Sequence, residues 1–119
     1  MRRHFPGKED MMTFRCEIPA RPTVQQDDDA VRITRWDFAP GSATGWHEHG
    51  WPYVVVMLVA GTLLVHDGAK VTAVPLAQGQ SYTRVAGIKH DVMNGSDYPI
   101  AFVEIELKQP YDIAPNPGA

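Results

Sequence analysis

The chain has one cysteine, Cys16, so no disulfide can form within it. It also has no long apolar run. The longest extends only from Tyr53 to Ala60, far short of the roughly 20 residues a membrane-spanning helix needs. Positive charge is not in excess: 11 Lys+Arg against 14 Asp+Glu leave a net charge of −3. No broad basic surface is available for a phosphate backbone, and neither nucleic acid nor a membrane is an expected partner. The opening MRRHFPGKEDMM has Arg2 and Arg3 but no apolar core behind them, unlike a secretory signal. Met11 and Met12 leave a later start open. The cytoplasm is therefore the expected compartment. Cys16 lies in FRCEI, where Phe14, Cys16 and Ile18 alternate with Arg15 and Glu17, and it reads as a small core residue.

A sustained apolar period of 3.6 residues is missing as well, which argues against helices. The 119 residues, 44% hydrophobic and 21% charged, have the composition of one globular domain. Short apolar segments at 13–18, 31–38, 44–49, 53–59, 62–66, 69–74, 80–85, 90–94 and 99–107 are separated by turn residues. Among the turns, Asp67-Gly68 in HDGA signals a hairpin of the I′ type, in which both central residues take positive φ. The run Asp27–Asp29 reads as a solvated loop, because the wider ligand spacing of a calcium loop is absent. Many short strands at near-even spacing predict an all-β sandwich or barrel over residues 13–108. Residues 1–12 form an N-terminal arm and 109–119 a Pro-rich C-terminal tail.

Within GWHEHGWPYVVVML, His47 and His49 are two residues apart. On a strand such positions share a face, so the two imidazoles can converge on one metal ion, although two satisfied or surface histidines would show the same spacing. About forty residues on, GQSYTRVAGIKHDVMN supplies His90. These stretches resemble the two motifs of a small single-domain cupin, G-x5-H-x-H-x3–4-E-x6-G and G-x5-P-x-G-x2-H-x3-N. Gly41, His47, His49 and Gly61 match the first; Gly79, Gly87, His90 and Asn94 match the second, with Val85 where proline is usual.

The resemblance implies a double-stranded β-helix, a jelly-roll barrel, with His47, His49 and His90 on one divalent transition metal. Fe(II) is favoured, and Zn, Ni or Mn would also suit imidazole. The first motif's carboxylate aligns to Val54, or by the shorter spacing to Tyr53, and neither is a glutamate. That leaves a three-histidine site, as in thiol dioxygenases and diketone-cleaving dioxygenases. The flanks are also similar to small cupins of β-alanine degradation. Glu104 and Glu106 on the last strand can supply a carboxylate inside the barrel; their alternation fits an outward polar face equally.

Three neutral imidazoles leave a dication's charge uncompensated, so an anionic chelating substrate is expected: a dicarbonyl, a 2-oxo acid or a thiol. The expected function is a mononuclear non-haem Fe(II) dioxygenase. The alternatives are a metal-containing binding cupin without catalysis, or a metal-assisted isomerase whose general base the sequence does not identify. Tyr53, Val54, Met57, Tyr82, Arg84, Trp46 and Trp51 surround the motifs and are candidate pocket residues. Arg84 can clamp a carboxylate or form an exposed salt bridge. Trp36, Trp46 and Trp51 also suit a core or an interface. His4 and His66 are expected in solvent. The edges of a short barrel offer strands for pairing, so a homodimer is expected.

Overall fold

The computed structural model describes residues 18–109. Cys16, His4, the N-terminal arm, the C-terminal tail from residue 110 and most of the segment 13–18 lie outside them. Among the described residues there is no helix. Nine strands occur: β1 (Arg21–Asp27), β2 (Val31–Phe38), β3 (His47–Glu48), β4 (Tyr53–Met57), β5 (Gly61–His66), β6 (Val71–Leu76), β7 (Ser81–Arg84), β8 (Lys89–Asn94) and β9 (Ile100–Leu107). They form two antiparallel sheets, ordered β1-β2-β9-β4-β7 and β3-β8-β5-β6. This is the expected all-β double-stranded β-helix.

Most strands coincide with the apolar segments of the sequence, and β1 is the exception. Every residue of β1 is exposed, and it pairs only with β2, with a bulge between Val24 and Gln26. A strand exposed on both faces needs no apolar alternation, so RPTVQQD carries no strand signal. Of the acidic run 27–29, Asp28 and Asp29 lie in the loop after β1, as expected, whereas Asp27 is the last residue of the strand. Asp28 Oδ1 accepts from the amides of Ala30 and Val31 at 2.8 and 2.9 Å.

The β5–β6 hairpin exists, but its turn is not of the I′ type. Within the turn only Gly68 has positive φ (98°), and among the described residues no non-glycine residue does. Asp67 Oδ1 instead accepts from the amides of Ala69 and Lys70 at 2.8 and 2.9 Å. The side chain satisfies those donors and holds a longer loop.

Residues paired across antiparallel strands share a face, so the register of the five-stranded sheet orders its inner face into rows. At one end Phe38 faces Ile100, and the next row is Trp36, Phe102 and Met57. Phe38, Met57 and Ile100 are fully buried, and Leu63 of the other sheet completes this apolar core. Phe38 and Phe102 pack with ring centroids 5.3 Å apart. The following row is Thr34, Glu104, Val55 and Tyr82, and the last is Asp27, Arg32, Glu106, Tyr53 and Arg84. The barrel interior thus passes from apolar to charged along its strands.

Gly61, which closes the first motif, is required by close packing at the apolar end. A Cβ there would lie 2.7 Å from Ile100 Cγ2 and 3.0 Å from Ser96 Oγ.

Candidate metal centre

His47 and His90 are direct partners between β3 and β8. His90 shares its face with Val92 and Asn94, both buried against the interior. His49 follows the end of β3 and is tied to the turn of the second motif. Its N–H donates to the Ile88 carbonyl at 2.9 Å, and its carbonyl accepts from Gly87 N–H at 2.7 Å. Gly87 takes φ of 92°, a conformation other residues rarely adopt. The two motifs are therefore joined through their backbones.

The three rings converge through their Nε2 atoms. His47 Nε2 and His49 Nε2 are 3.0 Å apart, and His49 Nε2 and His90 Nε2 are 3.1 Å apart. His47 Nδ1 is 2.8 Å from the Gly45 carbonyl, which can only accept, so Nδ1 carries a proton and Nε2 is the nitrogen left to bind a metal. Thr44 Oγ1 stands 3.3 Å from the same Nδ1. These orienting groups were not visible in the sequence: a carbonyl leaves no signature, and Thr44 is marked only by lying three residues before His47.

Burial, then the charge of His47, lowers the pKa of His49 to about 4. Burial and the charges of His47, His49 and Arg84 lower that of His90 to about 3. Both rings stay neutral near pH 7, as metal ligation requires. Two nitrogens bound at adjacent positions of one metal, each at about 2.1 Å, lie about 3.0 Å apart. The observed separations fit that spacing. Three clustered lone-pair nitrogens cannot all satisfy one another, whereas one cation satisfies them together.

The surroundings separate the other candidate residues. Tyr53 is buried and stacks on His49, with ring centroids 3.8 Å apart and planes at 23°. Burial, then the charge of Glu104, raises its pKa. Val54, the other candidate for the missing carboxylate position, is paired with Ile105 and Thr83 and faces the outside of the sheet. Its expected place in the pocket is corrected: Tyr53 and Val54 alternate, and only Tyr53 faces inward. Met57 is also corrected, since it lies fully buried in the apolar core opposite Phe102.

Glu104 is buried and faces inward, and its Oε2 is 3.9 Å from His49 Nε2. Burial and the neighbouring Glu106 push its pKa up to about 7. Glu106 lies 3.9 Å from Arg32, and burial raises its pKa too. His49, Glu104 and Glu106 form a second cluster of possible ligands that shares His49 with the triad. Trp36, which the sequence did not single out for the site, brings a buried Nε1 that completes no hydrogen bond, close enough to Glu104 to favour its ionised form. Tyr82 is half-buried beside Arg84, whose guanidinium carbon is 5.4 Å from its ring centroid.

His66 is not in free solvent: it is half-buried, edge-on to Trp46 at 5.8 Å. Trp46 is 53% exposed, so it is not a core residue. Trp51 is half-buried, with Arg32 and Lys108 each 5.4 Å from its ring centroid.

Among known proteins, the chain is 49% identical over 89 residues to the β-alanine degradation protein BauB of Pseudomonas aeruginosa, covering 75% of this chain and 94% of that protein. A cupin domain from Bordetella pertussis is 46% identical, with a TM-score of 0.74 over 76% of this chain and 95% of that one. A double-stranded β-helix protein from Klebsiella pneumoniae, at 20% identity and a TM-score of 0.63, covers 79% of this chain and 81% of its own, and shares the fold. No family model matches the chain. Among the described residues no helix is long and apolar enough to cross a membrane. With the barrel, the converging histidines and these relatives together, the chain belongs to the cupin family.

Proposed function

We propose that the protein is a mononuclear non-haem Fe(II) dioxygenase acting on a small anionic chelating substrate. The observation that carries this reading is the donor set: three converging imidazoles, with Nε2 of His49 3.0 Å from that of His47 and 3.1 Å from that of His90. His47, His49 and His90 would hold the ion, and since imidazoles carry no negative charge a dication there attracts an anionic ligand. Bound iron supplies Lewis acidity and redox chemistry toward O₂. The protein's own residues shape the rest. The Gly45 carbonyl fixes the His47 tautomer, Tyr53 holds the His49 ring by stacking, and the apolar rows behind exclude water.

The relative's name concerns degradation of a β-amino acid. Transfer of the amino group of such a compound to a 2-oxo acid acceptor leaves a 3-oxo acid, which chelates through its carbonyl and carboxylate oxygens and belongs to the dicarbonyl class. Glu104 favours one further reading, a metal-assisted isomerase. Its carboxyl, held at about 7, can accept a proton beside the site at neutral pH. Oxygen uptake separates the two. Anaerobic Fe(II) protein mixed with a 3-oxo acid, a 2-oxo acid or a thiol should consume O₂ in proportion to substrate lost. Substrate conversion without O₂ would favour the isomerase, and a spectral change without turnover would indicate a binding protein.

We also propose a homodimer in the cytoplasm, where a single thiol stays reduced. The outer face of the five-stranded sheet presents Val31, Ile33, Val54, Val56, Val103 and Ile105, all only partly buried. A second copy would cover that face. Sedimentation velocity should give twice the monomer mass.

A further inference from the structure

In the last row of the inner face, opposite charges alternate. Asp27, Arg32 and Glu106 are neighbours, and Arg32 lies 3.3 Å from Asp27 and 3.9 Å from Glu106. Asp27 is also paired with Lys108. Arg35, on the outer face of β2, is held by Asp37 at 3.1 Å. Arg84 ends the inner row beside Tyr53, and its guanidinium makes no ion pair or hydrogen bond with any other described residue.

Arg84 is nevertheless held in place. Its guanidinium lies over the Tyr82 ring, an arrangement that favours a fixed cation. It belongs to the same inner row as Tyr53, which stacks on His49, and its charge acts on His90. The metal triad and an uncompensated cation therefore share one mouth of the barrel. A guanidinium matches the two oxygens of a carboxylate in geometry as well as in charge.

We propose that Arg84 is the carboxylate clamp of this site, so that the substrate chelates the metal through one pair of oxygens and presents a further carboxylate, not used in the chelate, to Arg84, as a dioxo acid does. The inference rests on the reading that an anionic chelate binds at the metal, and adds the second recognition group. It also narrows the substrate class: simple diketones and thiols without a further carboxylate bind less well than dioxo acids.

Co(II)-loaded protein gives a visible spectrum that reports changes at the metal. It is titrated with pentane-2,4-dione, which chelates without a carboxylate, and with 2,4-dioxopentanoate, which carries one. Arg84→Gln should weaken the second ligand on the order of tenfold or more and leave the first within about twofold, while Arg84→Lys restores part of the loss. Co(II) stoichiometry, measured on all three proteins, should stay constant. If Arg84→Gln changes neither ligand, or both equally, the clamp is wrong and chelation at the metal stands. If neither ligand moves the spectrum of the parent protein, the anionic-chelate reading fails and the clamp fails with it.

Discussion

Along β9, Ile100 and Phe102 are buried among aromatic and aliphatic side chains, whereas Glu104 and Glu106 on the same face stand beside the histidines. The same contrast runs along β4, from Met57 in the core to Tyr53 under His49. Each strand thus contributes to two regions of opposite chemistry. Good packing at the apolar end stabilises the barrel and gives the polar end a rigid frame. That frame holds groups that isolated burial would disfavour: three clustered imidazoles, a protonatable carboxyl and an indole N–H that completes no hydrogen bond. Stability should therefore reside at one end and metal dependence at the other.

The largest expected effect would break that division of labour if it failed. Phe38→Ala at the apolar end should cost about 3–5 kcal/mol of unfolding free energy. His49→Gln, compared in chelator, should cost about 1 kcal/mol or less and should abolish the rise in Tm that added Zn(II) gives the parent. Denaturant titrations with and without metal measure both. Equal losses in chelator would mean that the histidines are simply part of the core.

Glu104 sharpens the comparison through pH. Its folded pKa of about 7 lies above the ordinary 4.5. The folded protein thus holds this proton more tightly than the unfolded chain, and stability from this group is lost as pH rises through that window. Glu104→Gln should raise the Tm of metal-free protein by several degrees at pH 8 and change it little at pH 4.5.

His49 and His90 act with the opposite sign. Their folded pKa values of about 4 and about 3 lie below the ordinary 6.5. The unfolded chain therefore takes up protons first, and stability is lost as pH falls from 6.5 toward those values. In the Glu104→Gln background, where the opposing carboxyl is gone, metal-free protein should lose stability steadily in acid. Adding His90→Phe should flatten part of that slope. The smallest expected effect at the site is that of Val54→Glu, which should leave Zn(II) affinity within about twofold, because residue 54 faces outward. Tighter binding in a calorimetric titration would place it inside.

The contrast between the two ends was only partly legible in the sequence. Hydrophobic alternation marks β2, β4 and β9, and the spacing of the motifs brings His47, His49 and His90 to one place. The choice between Tyr53 and Val54 was not settled by counting, because the turn at Gly50–Pro52 interrupts the strand and with it the alternation from His49. The facing of Glu104 was hidden for another reason. Its neighbours Val103, Ile105 and Leu107 are as apolar as Ile100 and Phe102, so both faces of β9 read as buried. Whether Arg84 had a partner depended on register between strands far apart in the chain, which no local pattern carries.

The most direct test of the central claim, that three imidazoles at the polar end hold one divalent metal, is metal content after loading tag-free protein with Fe(II) anaerobically and removing excess by gel filtration. The parent and His66→Ala should each retain one iron per chain, and His47→Ala, His49→Ala and His90→Ala should each retain almost none. Iron retained equally by all five proteins, or by none of them, would contradict the account.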